Sequence, residues 1–159
     1  MMQISNATSW RRLGARALVA VALMGGATLA MAADAMTPAG VWKTIDDNTG
    51  KPKALVTITE KDGEYIGTIT KGLGESDDPE RICTACTDAR KGQKMLGLQI
   101  INGVRRDGDG FDGGKILDPE NGKEYRCKMT VIDGGKKLEV RGYIGVSLLG
   151  RTQTWIREQ

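Results

Sequence analysis

The chain of 159 residues contains no histidine. That absence removes the commonest general base and every Ser-His or Cys-His nucleophilic mechanism. It also removes the histidine ligands on which many zinc sites depend. Serine is scarce beyond the first segment: only Ser76 and Ser147 remain, and neither sits in a nucleophile-elbow context. Aromatic residues make up 4% of the chain, with Phe111 the single phenylalanine. The paired carboxylates Asp46-Asp47 and Asp77-Asp78 lie in loop-like sequence and read as solvated. A glycosidase needs two carboxylates held across a cleft, which adjacent loop residues do not predict. No catalytic constellation is assigned, and no cofactor is implied.

Long apolar runs are also missing, with one exception. Met1 to Arg16 carries Arg11, Arg12 and Arg16 and no acidic residue, and ALVAVALMGGATLAM follows it. This run is about 15 residues, short of the roughly 20 that a spanning helix needs. Ala30-Met31-Ala32 then supplies an A-x-A site. A basic segment, a short apolar run and small residues predict a signal peptide over residues 1–32, cleaved after Ala32. The expected location is periplasmic or secreted, with no transmembrane segment in the mature chain. SWRR resembles a twin-arginine export motif only weakly. Removing the three arginines takes Lys+Arg from 23 to 20, equal to the 20 of Asp+Glu. The basic balance thus belongs to the leader, and attraction to nucleic acid loses its support.

Residues 33–159 fit one domain by length. They show period-2 alternation broken by glycine turns and no useful helical stripe. Strands are predicted at 42–45, 54–60, 65–70, 95–104, 111–117, 124–132, 137–144 and 151–157. A long polar connection, 71–94, separates the third from the fourth. Asp107-Gly108-Asp109-Gly110 and Asp118-Pro119-Glu120-Asn121-Gly122 are strong turn signals. The first is rich in aspartate, but Phe111 stands where a calcium loop needs an oxygen ligand, so a hairpin turn is the better reading. The fold class is therefore all-β: about eight antiparallel strands in an up-and-down barrel, which leaves no exposed edge. A two-sheet sandwich is the alternative. Gly67, Gly97, Gly103, Gly113, Gly114, Gly142 and Gly145 fall in or at the ends of strands. They read first as bends and bulges and second as room for a ligand.

Three cysteines cannot all pair within one chain. In EYRCKMTVI, Tyr125, Cys127, Met129 and Val131 share one strand face, so Cys127 is expected to point into the barrel. Cys83 and Cys86 are then the natural disulfide, a clasp on the long connection. Three other readings stay open: a redox centre, with RICTACTDAR opening a short helix; a zinc site, which lacks a fourth ligand; and a Cys83–Cys127 bridge.

The stretches GVWKT (40–44), DDNTGKPKALVTI (46–58), GLQII (97–101), GGKILDPENGKEY (113–125) and KLEVRGYIGVSLLGRTQTWIR (137–157) carry a resemblance. With GTI at 67–69 and the CTAC at 83–86, they resemble the exported bacterial family named domain of unknown function 2147. The resemblance covers Gly40 to Arg157 and implies a lipocalin-like, calycin barrel. Calycins open on Gly-x-Trp, matched here by Gly40-x-Trp42, and a late arginine covers that tryptophan. Arg151 or Arg157 is the candidate.

By fold analogy the expected function is non-catalytic binding of a small amphipathic or hydrophobic ligand. The candidate contacts are Trp42, Tyr125, Arg141, Tyr143, Arg151 and Trp155. Arg141, Tyr143, Arg151, Gln153 and Trp155 have like parity within their two strands, and adjacent pairing is expected to gather them on one side. An arginine there would anchor a carboxylate or phosphate headgroup. Two alternatives stand beside this reading: a structural or partner-binding envelope protein with a filled barrel, and a thiol–disulfide role for Cys83 and Cys86. Val146 to Leu149 forms an apolar hairpin tip, which if exposed suggests a partner or membrane surface.

Overall fold

The computed structural model of the chain describes residues 36–158. The predicted signal peptide lies outside the described residues. Eight strands run in order: β1 (Gly40–Ile45), β2 (Pro52–Lys61), β3 (Glu64–Gly72), β4 (Gln99–Asp107), β5 (Gly110–Asp118), β6 (Lys123–Ile132), β7 (Lys137–Tyr143) and β8 (Gly150–Glu158). Each pairs antiparallel with its sequence neighbour, and β1 also pairs with β8, so the sheet closes into a barrel. The barrel rather than the sandwich is the fold. Among the described residues no helix is long and apolar enough to cross a membrane.

Period-2 sequence explains the walls. In β6, Cys127, Met129 and Val131 are buried while Arg126 and Lys128 are exposed. Alternate side chains leave opposite faces of a strand, so one face packs inward and the other meets water. Trp42, Val56, Ile58, Ile101, Phe111, Met129, Leu138 and Trp155 fill the core, each nearly inaccessible to solvent. Burying side chains of this size contributes about 1.5–3 kcal/mol each.

Glycines set the curvature. Gly113, at φ +83°, sits where the β5–β6 register shifts between Phe111 and Gly114. That is a bulge, and the positive φ favours glycine. Gly67 lies where β3 and β4 approach closely; a Cβ there would stand 2.9 Å from the Cβ of Ile101. Gly97 and Gly145 lie in connections rather than strands.

Two segments differ from the sequence reading. The fourth strand starts at Gln99, not Met95. Residues 95–98 instead join an irregular ladder, in which the Met95 amide donates to the Arg81 carbonyl and the Gly97 amide to that of Ile69. RICTACTDAR opens no helix: Ile82 makes an isolated bridge to Lys94, and bends follow.

The up-and-down order separates two ends. Loops 62–63, 108–109 and 133–136 share one end with residues 36–39. Loops 46–51, 73–98, 119–122 and 144–149 share the other.

Candidate functional site

The end bearing residues 36–39 is sealed by one arginine. Trp42 of β1 and Arg157 of β8 are direct register partners, so their side chains share the inner face. The Arg157 guanidinium lies 4.1 Å from the Trp42 ring centroid. Its Nε donates to the Gly135 carbonyl at 2.5 Å, Nη1 to Ala39 at 2.9 Å and Nη2 to Thr37 at 2.7 Å. The Trp42 indole donates to the Pro38 carbonyl at 2.7 Å. One planar fork thus ties together the N-terminal approach, the β6–β7 loop and the last strand. Of the two candidates for covering Trp42, the structure selects Arg157. Burial lowers the pKa of that guanidinium.

The opposite end is open. A cavity of about 890 Å³ enters the barrel between the four loops there. Its apolar lining includes Val56, Ile69, Ile116, Val140 and Trp155; Val56, Val140 and Trp155 are nearly inaccessible to solvent, so they form its packed floor. Gly142 opens the throat: a Cβ on it would meet only ordinary contacts, 3.5 Å from Tyr125 and 3.6 Å from Ile116. Among the interior glycines, Gly67 and Gly114 are close-approach positions, whereas Gly142 makes room.

Polar groups converge at the rim. The Trp155 indole donates to Gln153 Oε1 at 3.2 Å, and Gln153 Nε2 donates to Asp47 Oδ2 at 3.1 Å. Asp47 also holds the Arg151 guanidinium in an ion pair. This chain of groups runs from the deep wall to the mouth. Across the mouth, Lys53 bridges Glu120 at 2.6 Å and Asp46 at 3.5 Å.

The cysteine clasp lies over one side of this mouth. Cys83 and Cys86 form a disulfide with Cα atoms 5.5 Å apart, and both are buried. The loop presses on the β5–β6 turn: Cys83 Sγ lies 3.6 Å from the Pro119 carbonyl oxygen, and a Cβ on Gly122 would collide with the Ala85 carbonyl. Arg90 pairs with Asp88 and, at 2.9 Å, with Glu124 of β6, which holds the connection against the wall. These guanidinium contacts draw the Asp88 carboxyl down to about 2. Cys127 is fully buried with its thiol pushed up to about 12, first by burial and then by the Asp112 carboxylate. A Cys83–Cys127 bridge is excluded by the Cys83–Cys86 pairing. Asp107 pairs with Gly110 across a two-residue hairpin loop, so the aspartate-rich stretch is a turn. Among the described residues, no group of three or more Cys, Asp or Glu is placed to hold a metal ion.

The candidate ligand contacts divide. Tyr125, Tyr143, Arg151 and Trp155 line the cavity. Trp42 lies buried at the sealed end, beneath Arg157. Arg141 faces away from the interior. The β7–β8 register pairs Arg141 with Thr152 and Gly142 with Arg151, so like parity in the two strands means opposite faces. Arg151, Gln153 and Trp155 turn inward with Gly142, while Arg141 turns outward. Tyr143, out of phase with Gly142, donates its hydroxyl to Asp112 Oδ1 at 3.2 Å. Gly142 was among the glycines read second as room for a ligand, whereas Lys53 and the Asp47–Gln153 contact were missed as site features. Inward alternation along β8 already points to Gln153, but no local signal brings Asp47 across 106 residues to it.

The pattern of the family described as "Uncharacterized protein conserved in bacteria (DUF2147)" matches residues 40–157. The solved structure of protein HP1028 from the human pathogen Helicobacter pylori, described as belonging to the lipocalin family, aligns with a TM-score of 0.67 at 18% identity. That alignment covers 78% of this chain and 84% of the other. At that identity the likeness shows the fold, a lipocalin-like barrel. The E3 ubiquitin-protein ligases MARCHF2 of Xenopus tropicalis and Xenopus laevis are each 35% identical over 52 residues. The stretch is 32% of this chain, and it spans 20% of the length of those curated relatives.

Proposed function

This chain belongs to the DUF2147 family, and from that premise we propose that its barrel binds one small amphipathic or apolar molecule without catalysis, in the periplasm after export. The observation that carries the reading is the cavity of about 890 Å³, sealed at one end by Arg157 over Trp42 and open at the other. A pocket of several hundred cubic ångströms with apolar walls and a few convergent polar groups suits a small ligand. The apolar body would lie against Val56, Ile69, Val140 and Trp155, and the polar end would meet Arg151, Gln153 and Asp47 at the rim. Arg151, not Arg141, is the headgroup anchor in this reading, because only Arg151 lines the cavity. Export rests on the leader-like residues 1–32, and the Cys83–Cys86 disulfide suits an oxidising compartment.

The cavity supports a ligand carrier, while the packed core below it is what a filled structural barrel also requires. A thiol–disulfide role has weaker support: both sulfurs are buried, and no helix N-terminus stands beside them to activate a thiolate. Titration with the apolar fluorophore N-phenyl-1-naphthylamine tests the proposal. Saturable one-to-one binding with Kd on the order of micromolar is expected. Gly142→Trp places an indole in the throat and should weaken binding at least about tenfold, or ~1.4 kcal/mol. Unsaturable binding, or equal binding by a folded Gly142→Trp variant, would sink the proposal.

A further inference from the structure

The hairpin between β7 and β8 keeps four large apolar side chains in water: Ile144, Val146, Leu148 and Leu149. Leu148 is 87% exposed and Leu149 76%. Ile82 and Leu96, on the connection at the same end of the barrel, are exposed as well. The other exposed large apolar side chains among the described residues are Met36, before β1, and Ile156, on β8. Single exposed apolar side chains are ordinary, but a cluster gathered beside a cavity mouth marks an interaction surface.

The tip is braced rather than loose. Arg141 donates from Nε to the Ser147 carbonyl at 2.7 Å, from Nη2 to that of Leu148 at 3.2 Å, and from Nη1 to Thr152 Oγ1 at 2.8 Å. The outward arginine that does not serve the cavity therefore holds the loop in its projecting shape. Ile144, Leu148 and Leu149 also line the cavity. Apolar side chains thus extend from the tip to the cavity lining.

Charge selects the partner. Lys128 is the register partner of Arg141, and Arg126 is that of Tyr143 at the base of the tip. Neither Arg126 nor Lys128 forms an ion pair among the described residues; Arg126 lies against the Tyr143 hydroxyl, and the Arg141 guanidinium is committed to the tip. A narrow apolar projection with Arg126 and Lys128 on the strand beside it fits a bilayer bearing anionic lipid: leucines enter the acyl boundary and cations meet the headgroup phosphates.

We infer that the chain docks on an anionic lipid bilayer through the Ile144–Leu149 tip, which Arg141 braces, with Arg126 and Lys128 against the headgroups. Docking sets the cavity mouth at the membrane surface, where a poorly soluble amphipathic molecule passes between bilayer and barrel without crossing water. The docking step does not depend on the cavity being filled, so its test is separable from that of ligand binding.

The test is co-sedimentation with phosphatidylglycerol-containing vesicles, set against pure phosphatidylcholine vesicles. The protein is expressed with its own N-terminus and recovered from the cell envelope, so every variant shares the same processing. The parent should bind the anionic vesicles and lose binding as salt is raised. Val146→Asp, at an exposed tip position outside the cavity lining, should cut binding to them at least about fivefold, and Arg126→Glu with Lys128→Glu should do the same. Both variants should keep the parent's fluorophore affinity measured without vesicles, which certifies the fold and isolates the ligand reading. Equal binding by parent and tip variant, equal binding to neutral vesicles, or a tip-dependent dimer without vesicle binding would each overturn the inference.

Discussion

Replacing Arg157 by alanine should cost more stability than any other single surface-reachable change in the barrel. The guanidinium donates to three carbonyls, on Gly135, Ala39 and Thr37, and lies over the Trp42 ring. A hydrogen bond from a charged donor contributes about 1.5–3 kcal/mol, and the cation–π contact about 0.5–2 kcal/mol. The contributions overlap, and water can reach some of the freed carbonyls. A net loss of about 3–5 kcal/mol follows from those ranges. Against a typical domain stability of about 5–15 kcal/mol that is a large fraction. With a urea m-value of about 2 kcal/mol/M the midpoint should fall by about 2 M. Arg157→Lys keeps a cation near Trp42 but loses the planar fork, so it should show about half the loss. Urea melts followed by tryptophan fluorescence and by far-UV circular dichroism measure both variants. An alanine variant within about 1 kcal/mol of the parent would refute the view that Arg157 seals this end.

Three further outcomes follow from the same structure. The Cys127 thiol, pushed up to about 12, stays protonated in the folded barrel while an unfolded chain ionises near 9. Its contribution to stability is therefore fully present below about pH 9 and is lost as pH rises towards 12, at up to about 1.4 kcal/mol per pH unit. The difference between parent and Cys127→Ala urea melts across that window isolates it, and parallel pH profiles would contradict it. Reduction of the Cys83–Cys86 clasp should lower stability by about 2 kcal/mol or less, because the closed loop is short; urea melts with and without reductant read this. Gly122→Val should separate the clasp from the β5–β6 turn, since φ is +69° and a Cβ meets the Ala85 carbonyl. Faster amide exchange confined to residues 81–94 is the expected sign, and unchanged exchange there counts against the packing.

Strand content was legible because the alternation is local. EYRCKMTVI carries its inward face in its own parity, and the structure buries Cys127, Met129 and Val131 accordingly. Barrel closure followed from eight hairpin-linked strands that would otherwise leave two open edges. The start of β4 was not legible. Met95 and Leu98, at the end of the connection, are apolar because they pack with the hydrophobic core, and apolar character alone does not separate a strand from an irregular ladder. The candidate site was legible strand by strand but not across strands. Arg141 and Arg151 each have a definite face, yet the length of the hairpin decides whether those faces agree. Pairing Tyr143 with Gly150 across 144–149 puts odd positions opposite even ones, and that shift of one residue sends Arg141 outside. The Asp47–Gln153 contact depends on β1 closing against β8, a consequence of topology that no local motif encodes.

Native mass spectrometry of the protein recovered from its own cells, run for the parent and for Gly142→Trp side by side, tests the ligand-binding claim most directly. The parent should carry one small non-covalent adduct per chain that leaves on denaturation. The Gly142→Trp variant, with its throat plugged, should carry none or far less. Bare chain mass for the parent, or the same adduct on both proteins, would contradict the account.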